Sequence, residues 1–80
     1  MPHLIVKVAD YHSEAEIQAL GERLTTAVTQ ALNVGPDTLS IAIEEVPLSE
    51  WTDRVYVPEI EPQLDRLLKR PGYGRPTPEN

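Results

Sequence analysis

Position 2 of this 80-residue chain is a proline directly behind the initiator methionine, and that pairing can make a base. A methionine followed by a small residue such as proline is the context in which the initiator is usually trimmed. Trimming would convert the Pro2 nitrogen from a non-basic amide into a secondary amine. A free α-amino group titrates at about 7.7–8.0. An apolar pocket lowers that value by penalising the charged form, and a base poised near the operating pH is what proton transfer needs. The ring also aims the nitrogen at little entropic cost. Other groups suit catalysis less well. Glu44 and Glu45 are neighbours on a predicted strand, so they point to opposite faces and do not converge as a glycosidase-like pair. His3 and His12 are the only histidines and there is no cysteine, which argues against zinc, thiolate chemistry and disulfides. Arg54, Arg70 and Arg75 are guanidinium groups that could hold a carboxylate. Arg54 is preferred because it follows Trp51 at helical spacing.

The elements that must position Pro2 are readable from periodicity. Residues 3–8 alternate, with Leu4, Val6 and Val8 on one face and His3, Ile5 and Lys7 on the other, which predicts a strand. Ser13 and Glu16 form the signature of a capping box at a helix start. Ile17, Leu20, Leu24, Ala27, Val28, Ala31 and Leu32 then make one apolar stripe and are the expected core. Gly21 inside that helix suggests close packing against a neighbour. Asn33 and Gly35-Pro36 end it. Leu39, Ile41 and Ile43 alternate with Ser40, Ala42 and Glu44 as a second strand. Strand, helix, strand reads as a βαβ unit with parallel strands. Beyond Pro47, residues 48–53 suggest a turn or short helix capped by Ser49, and Val55, Tyr56 and Val57 an extended piece. Pro58 suits the first turn of a second helix lined by Ile60, Leu64, Leu67 and Leu68 and stopped by Pro71-Gly72. The reading is one domain over residues 1–80, with 74–80 a flexible tail.

The net charge of −6 disfavours nucleic acid, which wants a basic surface. No apolar run approaches the roughly 20 residues of a membrane span. The first residues lack the basic-then-apolar layout of a signal peptide. A cytoplasmic protein without nucleic-acid or membrane partners is the expectation. Two parallel strands make no stable sheet alone, and their edges invite pairing with another copy. A dimer sharing a four-stranded sheet, with its helices on one face, would solve both problems.

The order of Pro2, strand, capped helix, strand and Trp51 resembles the tautomerase superfamily typified by 4-oxalocrotonate tautomerase. Glu44-Glu45-Val46-Pro47, residues 54–60 and Lys69-Arg70-Pro71-Gly72-Tyr73 are similar to a bacterial subgroup that includes the PptA-type enzymes. The resemblance implies an α/β tautomerase fold with an additional C-terminal helix, and a sheet completed by oligomerisation. A homodimer is expected first and a hexamer second. It implies a Pro2 amine that moves a proton in keto–enol isomerisation of a small 2-oxo acid or its enol, without metal or organic cofactor. Phenylpyruvate is the leading test substrate. The best-known members carry two arginines where this chain has His12 and Ser40, so diacid substrates are not expected. His12 and Ser40 become candidate substrate contacts, and Trp51 matches the aromatic residue that lines the family's pocket. The alternatives are a dehalogenase or decarboxylase using the same proline, and a non-enzymatic binding module on the same fold.

Overall fold

The computed structural model describes residues 1–75; part of the predicted tail, 76–80, lies outside the described residues. Strands β1 (His3–Ala9) and β2 (Ser40–Val46) form a two-stranded parallel sheet. Its register runs from His3 opposite Ser40 to Ala9 opposite Val46. Backbone bonds extend the pairing at both ends: Ser40 N–H donates to the Pro2 carbonyl at 3.2 Å, and Asp10 N–H to the Val46 carbonyl at 3.0 Å. Helix α1 (Glu14–Leu32) crosses between the strands. Its start is the anticipated capping box. Ser13 Oγ accepts from Glu16 N–H at 3.1 Å, and Glu16 Oε1 accepts from Ser13 N–H at 2.9 Å. Asn33 closes the helix with φ of 55°, a left-handed conformation that asparagine tolerates better than most residues. A short 3-10 turn, Pro36–Thr38, leads into β2.

Strand alternation gives the sheet two faces. Leu4, Val6, Ile41 and Ile43 face α1. That layer stays open, and no α1 residue is buried, so the expected core stripe is only partly covered. The reason is width. Two strands span about 5 Å between their axes, whereas a helix with its side chains is about 10 Å across, so much of the helix overhangs the sheet. A groove of about 450 Å³ remains between α1 and β2. Gly21 lies in it, and a methyl group there would meet Ile43 Cδ1 at 3.9 Å, an ordinary contact. The close packing expected at Gly21 is absent within the chain.

The opposite face carries Ile5, Lys7, Glu44 and Val46. The C-terminal helical segment, 48–66, packs here, which corrects the expectation that the helices share one face. Val46, Val55 and Tyr56 are the buried apolar residues among those described, and all belong to this side. Lys7 Nζ donates to Glu59 across the layer, with Glu44 Oε2 at 4.0 Å.

The segment itself departs from the sequence reading. It opens with a 3-10 turn, Leu48–Glu50, entered from Pro47 without a side-chain cap from Ser49. Val55, Tyr56 and Val57 are helical instead of extended. They lie in a nine-residue π-helix, Thr52–Ile60, which contains Pro58 in its interior. Proline in an α-helix clashes with the carbonyl four residues back. The wider winding, in which Glu61 N–H reaches the Tyr56 carbonyl, accommodates it. Burial of Val55 and Tyr56 under the sheet overrides their extended preference. A 3-10 helix, Glu61–Arg66, follows and stops short of Pro71-Gly72, while Leu68 is fully exposed. The Cα radius of gyration is 15.1 Å, whereas a compact chain of this length has about 12 Å. Among the described residues nothing pairs with either outer edge of the sheet.

Candidate active site

The parallel strands place both strand starts at one end of the sheet. Pro2 is there, half-buried, with its carbonyl held by Ser40 N–H. Met1 ahead of it is 99% exposed. On the other side of the Pro2–His3 peptide, His3 Nδ1 lies 2.6 Å from Ser40 Oγ. Ser40 thus fixes the first turn of chain twice, by backbone and by side chain. Alternation sends the His3 ring to the face opposite Leu4.

The other end of the sheet holds a cleft of about 380 Å³, a size typical of small-molecule sites. Val8, Ala9 and Leu48 form its apolar floor and side, and Tyr11, His12, Trp51 and Tyr73 its ring-bearing walls. The chain has one tryptophan, three tyrosines and no phenylalanine. All four aromatic residues gather here, because Tyr56 lies beneath Tyr73 with ring centroids 5.7 Å apart. Trp51 Nε1 donates to Tyr73 Oη at 2.9 Å. The Tyr11 and His12 rings are 4.5 Å apart, and His12 Nδ1 is 3.7 Å from Glu16 Oε2. Glu16 has its pKa lowered, first by the Ser13 backbone N–H, then by the Ser13 hydroxyl and by His12. The capping box therefore keeps an anionic partner beside His12. Asp10 ties the floor together, its carboxylate accepting from Leu48 N–H at 3.1 Å.

Of the residues nominated from sequence, His12 and Trp51 meet in this cleft. Ser40 sits with Pro2 at the far end. Arg54 is in neither place. Its guanidinium lies 3.4 Å from Glu50 Oε1 on the solvent side, since π winding takes it off the face Trp51 presents to the cleft. Arg70 pairs with Asp65 at 3.2 Å. Arg75 holds Glu61 along one guanidinium edge, Nε donating to Oε2 at 2.9 Å and Nη2 to Oε1. That contact lowers the Glu61 pKa and raises that of Arg75. Tyr73 was not nominated from sequence. The available signal was the scarcity of aromatics, which makes one after a Pro-Gly stop worth following.

From Pro2 to Ala9 is seven residues of extended chain, about 23 Å at the usual rise of a strand. A small 2-oxo acid cannot touch both ends of one sheet.

Relatives of this chain carry a consistent name. It is 44% identical over 75 residues to a probable tautomerase of Xylella fastidiosa, covering 94% of this chain and 92% of that protein. It is 39% identical over 74 residues to the tautomerase PptA of Cronobacter sakazakii, covering 91% and 97%. The PptA of Pectobacterium carotovorum is likewise 39% identical over 75 residues, covering 92% and 99%. No protein-family model matches the chain. The chain belongs to the tautomerase superfamily, and its β-α-β unit with a short parallel sheet agrees with that fold. Tautomerases are isomerases, and this is an enzyme of that class. Within the superfamily it is PptA-like.

Proposed function

We propose that the chain is a keto–enol tautomerase of small 2-oxo acids, with the Met1-free Pro2 amine as general base. The observation that carries this reading is the N-terminal end itself. Pro2 stands at the mouth of a strand, half-buried, its carbonyl fixed by Ser40 N–H, and Met1 beside it is exposed. The amine takes a proton from an enol hydroxyl or an α-carbon and returns it at the other position. The delocalised enolate between these steps needs a hydrogen-bonding partner for its oxygen and a flat surface for its body. The cleft around Trp51 and His12 offers both.

Because base and cleft lie at opposite ends of one sheet, the working site combines Pro2 of one copy with the cleft of another. Two-fold pairing of the open sheet edges, strands antiparallel across the axis, brings those ends together. It also covers surface that the single chain leaves open. A homodimer is the simplest assembly with this property, and a hexamer is the alternative.

The test is ketonisation of phenylenolpyruvate, followed by ultraviolet absorbance, on protein confirmed Met1-free by intact mass. Pro2→Ala is expected to lower kcat by about a hundredfold or more while the fold survives, the usual weight of a general base. Equal rates well above the buffer background would remove Pro2 from the chemistry, and equal rates near that background would remove the aryl-pyruvate assignment and favour the binding-module reading.

A further inference from the structure

We propose that Tyr73 is a substrate-recognition residue of the cleft, donating its phenolic hydrogen to an anionic oxygen of an aryl-bearing acid. This rests on the reading of the cleft as the substrate site. It adds a residue from the C-terminal extension to that site and names the group it recognises.

The argument is a count of donors and acceptors. Tyr73 Oη accepts from Trp51 Nε1 at 2.9 Å. An indole nitrogen only donates, so the phenolic hydrogen cannot point at Trp51. Among the described residues that hydrogen has no acceptor, and both Tyr73 and its donor Trp51 line the cleft. Donation by the indole withdraws charge from the phenol oxygen and makes its O–H a better donor. The ring is held on its far side by the buried Tyr56. Two residues further on, Arg75 is clamped to Glu61. The hydroxyl is therefore aimed by three separate contacts, although Tyr73 is 51% exposed.

The choice of an anionic oxygen follows from what else lines the space. Among the described residues no lysine or arginine of the same copy does. Arg54, Arg70 and Arg75 are engaged by Glu50, Asp65 and Glu61, and Lys7 by Glu44 and Glu59, while Arg23, Arg66 and Lys69 do not line the cleft. The polar side chains that this copy offers to a carboxylate or enolate there are the Tyr73 hydroxyl and the His12 ring. The remaining lining is apolar or aromatic, which suits an aryl or alkyl body beside that oxygen.

Trp51 is the only tryptophan, so its emission reports directly on the cleft. The experiment titrates the Met1-free oligomer with 3-phenylpropionate and, separately, with its methyl ester; neither can be enolised between keto forms. Wild type is expected to bind the acid about ten- to thirtyfold more tightly than the ester, the scale of a hydrogen bond to a charged group. In Tyr73→Phe the ring packing remains and only the donor goes. The preference should fall to within about twofold of unity, with ester affinity nearly unchanged. A Tyr73→Phe protein that keeps the preference overturns the proposal. So does equal weakening of acid and ester, which marks a structural role, or a wild type that does not distinguish them. The same titration on Pro2→Ala separates this idea from the proposed base. Preference for the acid should persist there whether or not ketonisation is lost.

Discussion

The two ends of the sheet are built in opposite ways. At the strand starts there is a potential base, Pro2, near the open α1–β2 groove that Pro36, Leu39 and Ile41 help to line, and no aromatic residue lines that groove. Pro2, His3 and Ser40 are tied by one backbone bond and one side-chain contact, with exposed neighbours. At the strand ends there is a pocket and no strong base. Val46 is buried, Tyr56 lies under Tyr73, and Trp51, Tyr11 and His12 wall an apolar cleft. The chain gathers its aromatic residues at one end and holds Pro2 at the other. Such a division is uneconomic for a monomer. It makes sense if each copy presents its base to the cleft of another.

The largest effect on this contrast comes from removing the support of the cleft. Tyr56→Ala deletes a buried ring beneath Tyr73, and thermal or urea unfolding should show a loss of about 3–4 kcal/mol. A loss below about 1 kcal/mol would mean that the cleft end is no better packed than the Pro2 end. Next comes Trp51→Ala, which takes the flat wall from the cleft. Steady-state kinetics on phenylenolpyruvate should show kcat/KM lower by about tenfold, with the stacking share expressed in KM. An unchanged KM would place the substrate elsewhere.

A smaller change probes the turn that carries His12. Ser13→Ala removes one half of the capping box and should cost about 1 kcal/mol in urea unfolding. The acid limb of stability carries a matching signature. Glu16 and Glu61 have pKa values held below their ordinary value of 4.5, by the Ser13 N–H and by Arg75 respectively. A depressed folded-state pKa gives stability that is present above the unfolded value and lost as pH falls through the folded one. Melting temperature should therefore be insensitive to these two groups above pH 4.5 and fall below it, less steeply in Glu61→Gln. An identical acid limb in that variant would show that the Arg75 clamp contributes nothing in solution.

How legible the molecule was differs along the chain. Both strands, the Ser13–Glu16 box and the Asn33 stop follow from local rules, and the structure matches them because side-chain alternation and bonds within a few residues decide those features. The segment after Pro47 was legible only in part: the short helical turn after Pro47 and a helix beyond Pro58 are present, but not the extended piece read between them. Val55-Tyr56-Val57 before Pro58 has extended propensity, and only burial against the sheet makes it helical. The amphipathic stripe of α1 was read correctly as a stripe but not as an open layer, since periodicity shows which face is apolar and not whether enough surface exists to cover it. His12 and Trp51 come together because each follows the end of its strand. Tyr73 belongs to the same cleft through contacts that no short-range pattern encodes. The separation of Pro2 from that cleft is implied by any parallel βαβ unit, yet it becomes decisive only once the substrate's size is set against the length of the strand.

The most direct test of the shared site is complementation between two impaired variants. Pro2→Ala and Trp51→Ala proteins are unfolded together in equal amounts, refolded, and assayed with phenylenolpyruvate. If base and cleft come from different copies, half of the dimers are mixed and each mixed dimer regains one intact site. Activity should then rise to about a quarter of wild type. If the mixture stays at the mean of the two separate variants while exchange of subunits is confirmed by native mass, base and cleft belong to the same copy and the account fails.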